Sequence, residues 1–429
     1  MKSTGTLPRV KRGLANYADH VRAFSPNARL YLTSVIFTGA ALGVYRLLFN
    51  FFVLSLGYNE ALLGTLITTS SLTALISALP MGYLIDIIGQ KRALIYGASC
   101  MVIAIGFMVL FPSAGMLVAM SVILGLGQSL NGVAMGPFLM ENSGEKERTY
   151  LFSFSSGLTM ASGFIGNWIG GYLPTWMASL HGVAPTSTLA YGWSVGIIAV
   201  SAAAGIVPLF FLRPTTLSHE QRSMFAPIKF FGNNKRLLGR LILPMLITSL
   251  GAGLIMPFLN VFYRQVHHQP DPVIGSMFAW GSLAMGVGLL IAPPIADRYG
   301  KIQVVVVTQA LSIPFLFLMG FSPYYVLSAA AYYIRLALMN MSGPVYQTFV
   351  MERVDPSARA TVASLVSMAN NVGWAFSPQV SGWMQVNYGF DPAFASTIML
   401  YIIAIYMYWR YFWYADRHKK MQPFTPESI

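Results

Sequence analysis

Long apolar runs alternate with short polar segments along the whole chain. A helix needs roughly 20 mostly apolar residues to cross a bilayer, so these runs predict membrane-spanning helices. Twelve runs qualify, at approximately 30–57, 61–88, 91–111, 114–140, 149–175, 189–213, 238–264, 273–297, 301–320, 323–352, 359–386 and 391–415. Several exceed the length of a straight crossing, and we expect those helices to tilt or to extend beyond the lipid.

A pattern of acidic, glycine and arginine positions recurs after 211 residues. Asp86, Gly89, Glu141 and Arg148 recur as Asp297, Gly300, Glu352 and Arg359, and the segment 166–171 recurs as 377–382. The constant spacing predicts two halves of one architecture, each with six spans. The predicted organisation is an N-terminal arm (1–29), a six-helix bundle (30–213), a central loop (214–237), a second six-helix bundle (238–415) and a tail (416–429).

The composition independently indicates a membrane protein. Hydrophobic residues make up 55% of the chain and charged residues 10%, which is far from the balance of a soluble domain. Cys100 is the single cysteine and lies in an apolar run, so a disulfide framework is excluded. The fold class we predict is an all-α integral membrane protein.

Positive charge predicts the orientation of the spans. Most of the 27 Lys and Arg residues fall in the arm, the central loop, the tail and the short loops on the same side. Cytoplasmic segments keep such an excess, so both termini are predicted to be cytoplasmic in the cell (plasma or inner) membrane. The net charge of +13 is spread over these segments without a basic stripe, so we expect contact with lipid headgroups and no nucleic-acid partner.

The segment 82–92 carries a glycine, an aspartate four residues on, a second glycine three residues later and then basic residues. This pattern resembles the signature between helices 2 and 3 of the major facilitator superfamily, and 296–301 is similar to a degenerate copy. Glu141 and Arg148 resemble the glutamate, six residues, arginine pattern of sugar porters and other members. The resemblance covers essentially the whole chain. It implies two pseudo-symmetric six-helix bundles that alternate between outward and inward states.

The charged residues and glycines at the cytoplasmic ends of the spans suit a gate. Partly desolvated pairs are weak stabilisers but good switches, because breaking one leaves an unpaired charge. Glycine suits the tight turn after a helix. We therefore predict a cytoplasmic gate, or, as the alternative, topological anchors that do not move. The gating residues are Asp86, Gly89, Arg92, Glu141, Arg148, Asp297, Gly300, Glu352 and Arg359.

Span 5 contains the string Gly-Asn-Trp-Ile-Gly-Gly at 166–171. Small residues on one helix face allow close helix packing. The string also resembles the Gly-Pro-x-x-Gly-Gly motif of many exporters in the superfamily, with Asn167 in place of proline, and 377–382 keeps the proline but replaces two glycines. The resemblance favours export. The predicted packing residues are Gly166, Gly170, Gly171, Pro378 and Gly382.

Two arginines, Arg46 and Arg335, lie within spans 1 and 10, where each costs roughly 2.5–3.5 kcal/mol or more in hydrocarbon. In the superfamily spans 1, 4, 7 and 10 line the central cavity, which implies that both point inward. They either bind an anionic substrate group or hydrogen-bond neighbouring helices. Arg264, near an outer end, is expected to be solvated. The candidate substrate-binding residues are Arg46, Asn50, Gln128, Asn131, Asn260, Arg335, Asn340 and Trp374.

All histidines and carboxylates are predicted to lie outside the spans or at their ends, which argues against a membrane enzyme, a metal site and a mid-depth proton carrier. No nucleotide-binding loop is present and no cofactor is expected. We predict a monomeric secondary transporter of a small organic solute, leaning to export of an anionic or polar, drug-like compound. The alternatives are an uptake permease for a sugar or organic anion, and a non-transporting membrane sensor.

Overall fold

The computed structural model describes residues 24–144, 148–213, 235–354 and 359–413, which form helices joined by short connections. Twelve long helices follow in chain order. They are α1 (Pro26–Ser55), α2 (Glu60–Ile88), α3 (Gln90–Leu110), α4 (Ala114–Glu141), α5 (Arg148–His181), α6 (Thr188–Ala204, followed by the short helix Val207–Phe210), α7 (Lys235–Ile255, continued as Leu259–Gln265), α8 (Asp271–Tyr299), α9 (Lys301–Phe321), α10 (Tyr325–Glu352), α11 (Arg359–Tyr388) and α12 (Asp391–Phe412). The predicted twelve-helix fold is confirmed.

Local sequence sets the helix ends. Ser25 and Asn59 cap α1 and α2 by accepting hydrogen bonds from backbone N–H groups three residues later. Gly89 and Gly300 end α2 and α8 with φ of +83° and +97°, a backbone region that only glycine enters cheaply. α1 begins at Pro26, inside the predicted arm, and α7 begins at Lys235, inside the predicted central loop. Most of the arm, the central loop and the tail lie outside the described residues.

α7 is broken, which the apolar pattern did not predict. A 3-10 turn, Met256–Phe258, separates its two α-helical parts. Pro257 has no N–H, so it cannot continue the α-helical hydrogen-bond ladder. Side chains from other helices bond carbonyls beside the turn: Ser381 donates to Leu254 and Asn50 donates to Pro257. The break is therefore supported from both halves.

The helices differ in how apolar they are. Among the described residues, nine helical segments are long and apolar enough to cross a membrane. α5, α10 and α11 are of similar length but are not among them. α11 carries amides and hydroxyls, and several of these are bonded inside the protein, as Ser381 and Gln385 show. Such helices can sit in a bilayer because neighbouring helices, rather than water, satisfy their polar groups.

Two helix pairs make the most extensive contacts between the halves: α2 packs against α11, and α5 packs against α8. At one contact a Cβ on Gly275 would come within 2.6 Å of the Asn167 carbonyl oxygen, so glycine is required there. Gly64 makes the equivalent contact with the carbonyl of Pro378. We call the helix ends near Asp86 and Asp297 the inner side, following the predicted orientation, and the opposite ends the outer side.

Candidate functional site

A cavity of about 300 Å³ lies within the N-terminal half. Residues of α1, α3, α4 and α6 provide most of its wall, with Thr159 of α5 and Leu209 completing it. Most of the lining side chains are apolar, including Leu42, Ile105 and Leu124. Ligand pockets have volumes of about 300–1,000 Å³ and are mostly apolar with a few polar groups, so this cavity is at the small end of that range.

Two predicted substrate-binding amides line this cavity but differ in what they contact. Asn131, oriented so that both its amide atoms are satisfied, donates to the Leu94 carbonyl (3.1 Å) and accepts from the Ala98 N–H (3.0 Å). It therefore ties α4 to α3. Gln128 is half-buried and makes no side-chain hydrogen bond to any described residue. Gln128 is the amide in the cavity wall that is available to a solute.

Arg46 is exposed near the middle of α1 and has neither a hydrogen bond nor an ion pair with a described residue. Other faces of its helix pack against α5 and α6. Gly43, close to Arg46 in the chain, lies against the backbone of Gly163. The guanidinium of Arg46 is thus exposed and has no partner among the described residues, and its role in substrate binding stays a prediction.

Arg335 differs from the expectation. It is 2% exposed and lies inside the C-terminal half, so it does not face the space between the halves in this structure. Its Nη2 donates to the Tyr401 hydroxyl (3.2 Å), its guanidinium lies 5.6 Å from that ring, and Nη1 is 4.0 Å from the Met256 sulfur. The burial follows from packing: α10 turns this position toward α12 and the break in α7. Its alternative role as a helix-to-helix contact fits these observations.

Asn50 and Asn260 meet at the outer side and join the two halves. Asn50 Nδ2 donates to Asn260 Oδ1 (2.9 Å) and to the Pro257 carbonyl (2.7 Å), while Asn260 donates to the Leu47 carbonyl (2.7 Å). Both are buried, at 4% and 2% exposure. A substrate-binding role for them stays a prediction, but in this conformation their donors are used in closing the outer side.

A second outer contact involves residues that the sequence reasoning did not select. Tyr191 of α6 donates to Asp271 Oδ2 (2.7 Å) across the halves, and Arg264 Nη1 lies 3.3 Å from Asp271 Oδ1. Arg264 also stacks over Phe51 at 4.2 Å. The expectation that Arg264 is solvated was wrong, because an acid and two aromatic rings of neighbouring helices surround it. Arg264 lies one helical turn after Asn260 in the chain, and this spacing was the sequence signal for its place at the contact between the halves.

At the inner side each half pairs the glutamate of the 211-residue repeat with a residue at the start of the helix after the glycine turn. Gln90 Nε2 donates to Glu141 Oε1 (2.6 Å), and Lys301 Nζ contacts Glu352 Oε1. Gln90 and Lys301 are themselves 211 residues apart, so the repeat contained this signal. One half thus holds its carboxylate with a neutral amide and the other with a cation.

Other predicted gating side chains make no contact between the halves here. Asp86, Arg92 and Asp297 are exposed and form no hydrogen bond or ion pair with a described residue. The side chains of Arg148 and Arg359 lie outside the described part, although the backbone of each begins a helix. Their gating role stays a prediction.

The remaining candidates lie along helices. Asn340 is half-buried and donates to the Leu336 carbonyl (2.7 Å), and Trp374 is half-buried on α11. The predicted packing residues occupy helix contacts: Gly166 faces Ala40, Gly170 faces Val44, Gly171 faces Asp271, Gly382 faces Glu60 and Pro378 faces Gly64. The first two join α5 to α1, and the others join the two halves.

The side-chain hydrogen bonds that join the two halves within the described ranges all lie toward the outer side. Besides the contacts above, Gln265 donates to Glu60 (2.6 Å) and the Gln379 N–H donates to Thr68 (3.1 Å). Hydrogen bonds between described residues therefore close the outer side of this two-bundle protein.

Comparison with known proteins agrees with this architecture. Multidrug resistance protein MdtG of Proteus mirabilis (strain HI4320) is 25% identical over 351 residues, which cover 79% of this chain and 83% of that protein. An uncharacterized MFS-type transporter of Burkholderia mallei (strain SAVP1) is 23% identical over 354 residues, covering 79% of this chain and 80% of that protein.

Solved structures show the same fold. A bacterial homologue of the human lysosomal transporter Spinster, in an inward-facing and unoccupied conformation, matches with a TM-score of 0.71 at 15% identity, over 94% of this chain and 98% of that one. The nucleoside transporter NupG matches with a TM-score of 0.71 at 15% identity, over 92% and 100%. The model of the Major Facilitator Superfamily matches residues 31–270 and 241–428. The chain therefore belongs to the Major Facilitator Superfamily.

Proposed function

We propose that this protein is a secondary transporter that exports a small organic solute by alternating access. The observation that carries the proposal is the closure of the outer side by hydrogen bonds between described residues. Asn50 and Asn260 bond the halves together at the outer side, while Asp86 and Asp297 at the inner side are exposed and without a partner among the described residues. Two bundles that rock about a central site require such a state and its inverse.

The substrate class follows from the polar groups that remain open. Arg46 offers an unpaired guanidinium, which suits an anionic group, and Gln128 offers a free amide. No described residue that lines the cavity carries a carboxylate, so the cavity wall offers no anionic group to a cation. An anionic or polar, drug-like compound fits this set best. The similarity to a multidrug resistance protein supports export over uptake.

We further propose that the protein is a monomer in the cell membrane with both termini cytoplasmic. The distribution of Lys and Arg supports this orientation. In that orientation the solute enters from the cytoplasm in the conformation described above. An uptake permease for a sugar or organic anion would use the same cavity in the opposite direction.

Flux measurements on purified protein in liposomes test the proposal. Vesicles would be loaded with a panel of drug-like anions, neutral amphiphiles, sugars and organic anions, and efflux and uptake would be followed with and without an imposed proton gradient. Saturable flux of an amphiphilic anion or drug-like compound is expected. Absence of saturable flux for every compound, together with stabilisation by some of them, would instead indicate a membrane sensor.

A further inference from the structure

We propose that the N-terminal half alone binds the apolar part of the substrate, in the cavity between α1, α3, α4 and α6. The inference deepens the proposed function and rests on it. It assigns a ligand class: a lipophilic body small enough for about 300 Å³, carrying an uncharged hydrogen-bonding group that meets the Gln128 amide. It also assigns Gln128 as the residue that selects this group.

The cavity belongs to one half only. Every residue that lines it lies between Tyr31 and Leu209. Its wall is built from apolar side chains, and of its polar members Asn131 is bonded to the backbone of α3. Gln128 makes no such bond. Gln128 is half-buried in a mostly apolar wall, so a ligand that hydrogen-bonds its amide gains a directional contact there.

The C-terminal half differs from the N-terminal half at positions that mirror the cavity wall. The residue that mirrors Leu124 of the cavity wall is Arg335, 211 positions later. Its long side chain extends into the C-terminal bundle, where it contacts Tyr401 of α12 and Met256 of α7. These contacts are made between the helices that correspond to α4, α6 and α1.

Two further substitutions fill the same region. Met135 of the cavity wall is mirrored by Tyr346, which is 4% exposed and donates to the Leu241 carbonyl of α7. Gln128 is mirrored by Met339, whose sulfur accepts from Ser312 Oγ (3.2 Å). The repeat therefore keeps the helices but replaces three side chains of the cavity wall by side chains that contact neighbouring helices of the C-terminal bundle. Binding is expected to be asymmetric for this reason.

A matched pair of glycines provides the test. Gly132 lines the cavity, and Gly343 is its mirror 211 residues later; a Cβ added at either one meets no atom within 4 Å. Gly132→Phe places a ring in the cavity, and Gly343→Phe places the same ring on the other half. Binding of tritiated 1-naphthamide to purified full-length protein would be measured by equilibrium dialysis in detergent, with thermal unfolding as the check of folding.

The expected result is a loss of at least about tenfold in affinity for Gly132→Phe, since ring and ligand compete for one small volume, and a change within about twofold for Gly343→Phe. Equal losses in both variants would overturn the inference, because they would place the ligand between the halves. So would unchanged binding in a folded Gly132→Phe. Gly132→Leu serves if the larger side chain prevents folding.

A second measurement addresses Gln128 directly. Gln128→Leu should lower the affinity for 1-naphthamide by about threefold to tenfold, which corresponds to the loss of one hydrogen bond. The affinity for 1-isopropylnaphthalene, a hydrocarbon of the same shape, should be unchanged. Equal losses of affinity for both compounds would show that Gln128 does not recognise the hydrogen-bonding group of the ligand. Binding is measured without transport, so the two proposals fail separately. If the wild-type protein binds 1-naphthamide at this cavity but transports no solute, the binding site is supported and the proposed transport function is contradicted.

Discussion

The side-chain amides of Asn50 and Asn260 meet 2.9 Å apart at the outer side, and each also bonds a backbone carbonyl of the other half. The two residues occupy equivalent places in α1 and α7, so the pseudo-symmetry of the chain places them opposite one another. This buried amide pair stabilises the contact between the halves, because separating them would leave both amides without their hydrogen-bond partners. It is well suited to a closure that must open and reform.

Removal of either amide is expected to weaken the outer closure. Asn50→Leu or Asn260→Leu leaves one polar atom of the opposite amide and one backbone carbonyl without their partner, which costs about 1–3 kcal/mol and shifts the population toward the outer-open state. Distances between spin labels on the outer ends of α1 and α7 would report the shift. Asn387→Leu, at an exposed amide of α11, is the control. Unchanged distance distributions would exclude a closing role for the pair.

Asp86 is expected to act in the state that this structure does not show. Here it is exposed and has no hydrogen-bond or ion-pair partner in the described part of the chain. Asp86→Asn should therefore raise the inner-open population by removing a charge that pairs only when the gate closes. Labelling of Gly132→Cys in a Cys100→Ser background by a membrane-impermeant maleimide should accelerate. The same rate as in the parent, with Asp391→Asn as a matched acid control, would contradict the gating role.

Arg46 is expected to select for charge. Its guanidinium has no partner among the described residues, so an anionic ligand gains a charge-assisted hydrogen bond worth about 1.5–3 kcal/mol. Arg46→Ala should lower the affinity for 1-naphthoate about tenfold or more. The affinity for 1-naphthamide should stay within about twofold of the wild-type value. Arg46→Lys should recover part of the loss. Equal losses for the two ligands would reduce Arg46 to a helix contact.

Arg335 is expected to contribute to structure and not to ligand charge selection. Its side chain is buried against Tyr401 and Met256. Tyr401→Phe removes an acceptor from a buried cation and should lower the free energy of unfolding by about 1–3 kcal/mol. Arg335→Met, an apolar side chain of similar length, should restore most of this stability in the double variant. A selective loss of 1-naphthoate binding in Arg335→Met would instead indicate ligand contact.

His267 makes stability depend on pH. It lies in the outer loop between α7 and α8, is 9% exposed, and stacks on Tyr263 with its ring centroid 5.5 Å away. Burial, and then the charge of His268, lower the pKa of His267 below its ordinary value of 6.5. Protonation is thus easier in the unfolded chain, so stability should fall as the pH drops below about 6.5 toward the lowered pKa.

The measurement is the thermal midpoint of the purified protein between pH 7.5 and pH 5. His267→Phe keeps a ring among the aromatic neighbours and should reduce the loss at pH 5. His181→Gln, at an exposed histidine on the same side, should keep the wild-type profile. A profile unchanged by His267→Phe would show that other groups set the acid sensitivity.

The inner side shows how far the repeat could be used for prediction. Glu141 and Glu352 were selected from their spacing, but their contacts with Gln90 and Lys301 were found only in the structure. All four residues follow the 211-residue period, so the repeat relates the two pairs to one another. Arg335 could not be placed in this way. Its sequence position fits the cavity-lining face of the family as well as it fits the buried face that α12 and the α7 break create.

Sequence by itself determined the membrane class, the twelve helices and the two-fold repeat, because apolar run length, glycine turns and charge bias are local properties of the chain. Tertiary structure decided which side chains surround the N-terminal cavity and which side chains join the halves at the outer side. Arg335, Tyr346 and Tyr401 fill the C-terminal bundle, while Gln128 stands open in the N-terminal one. Those outcomes depend on side-chain volume and partners from distant helices, which no spacing along one helix specifies.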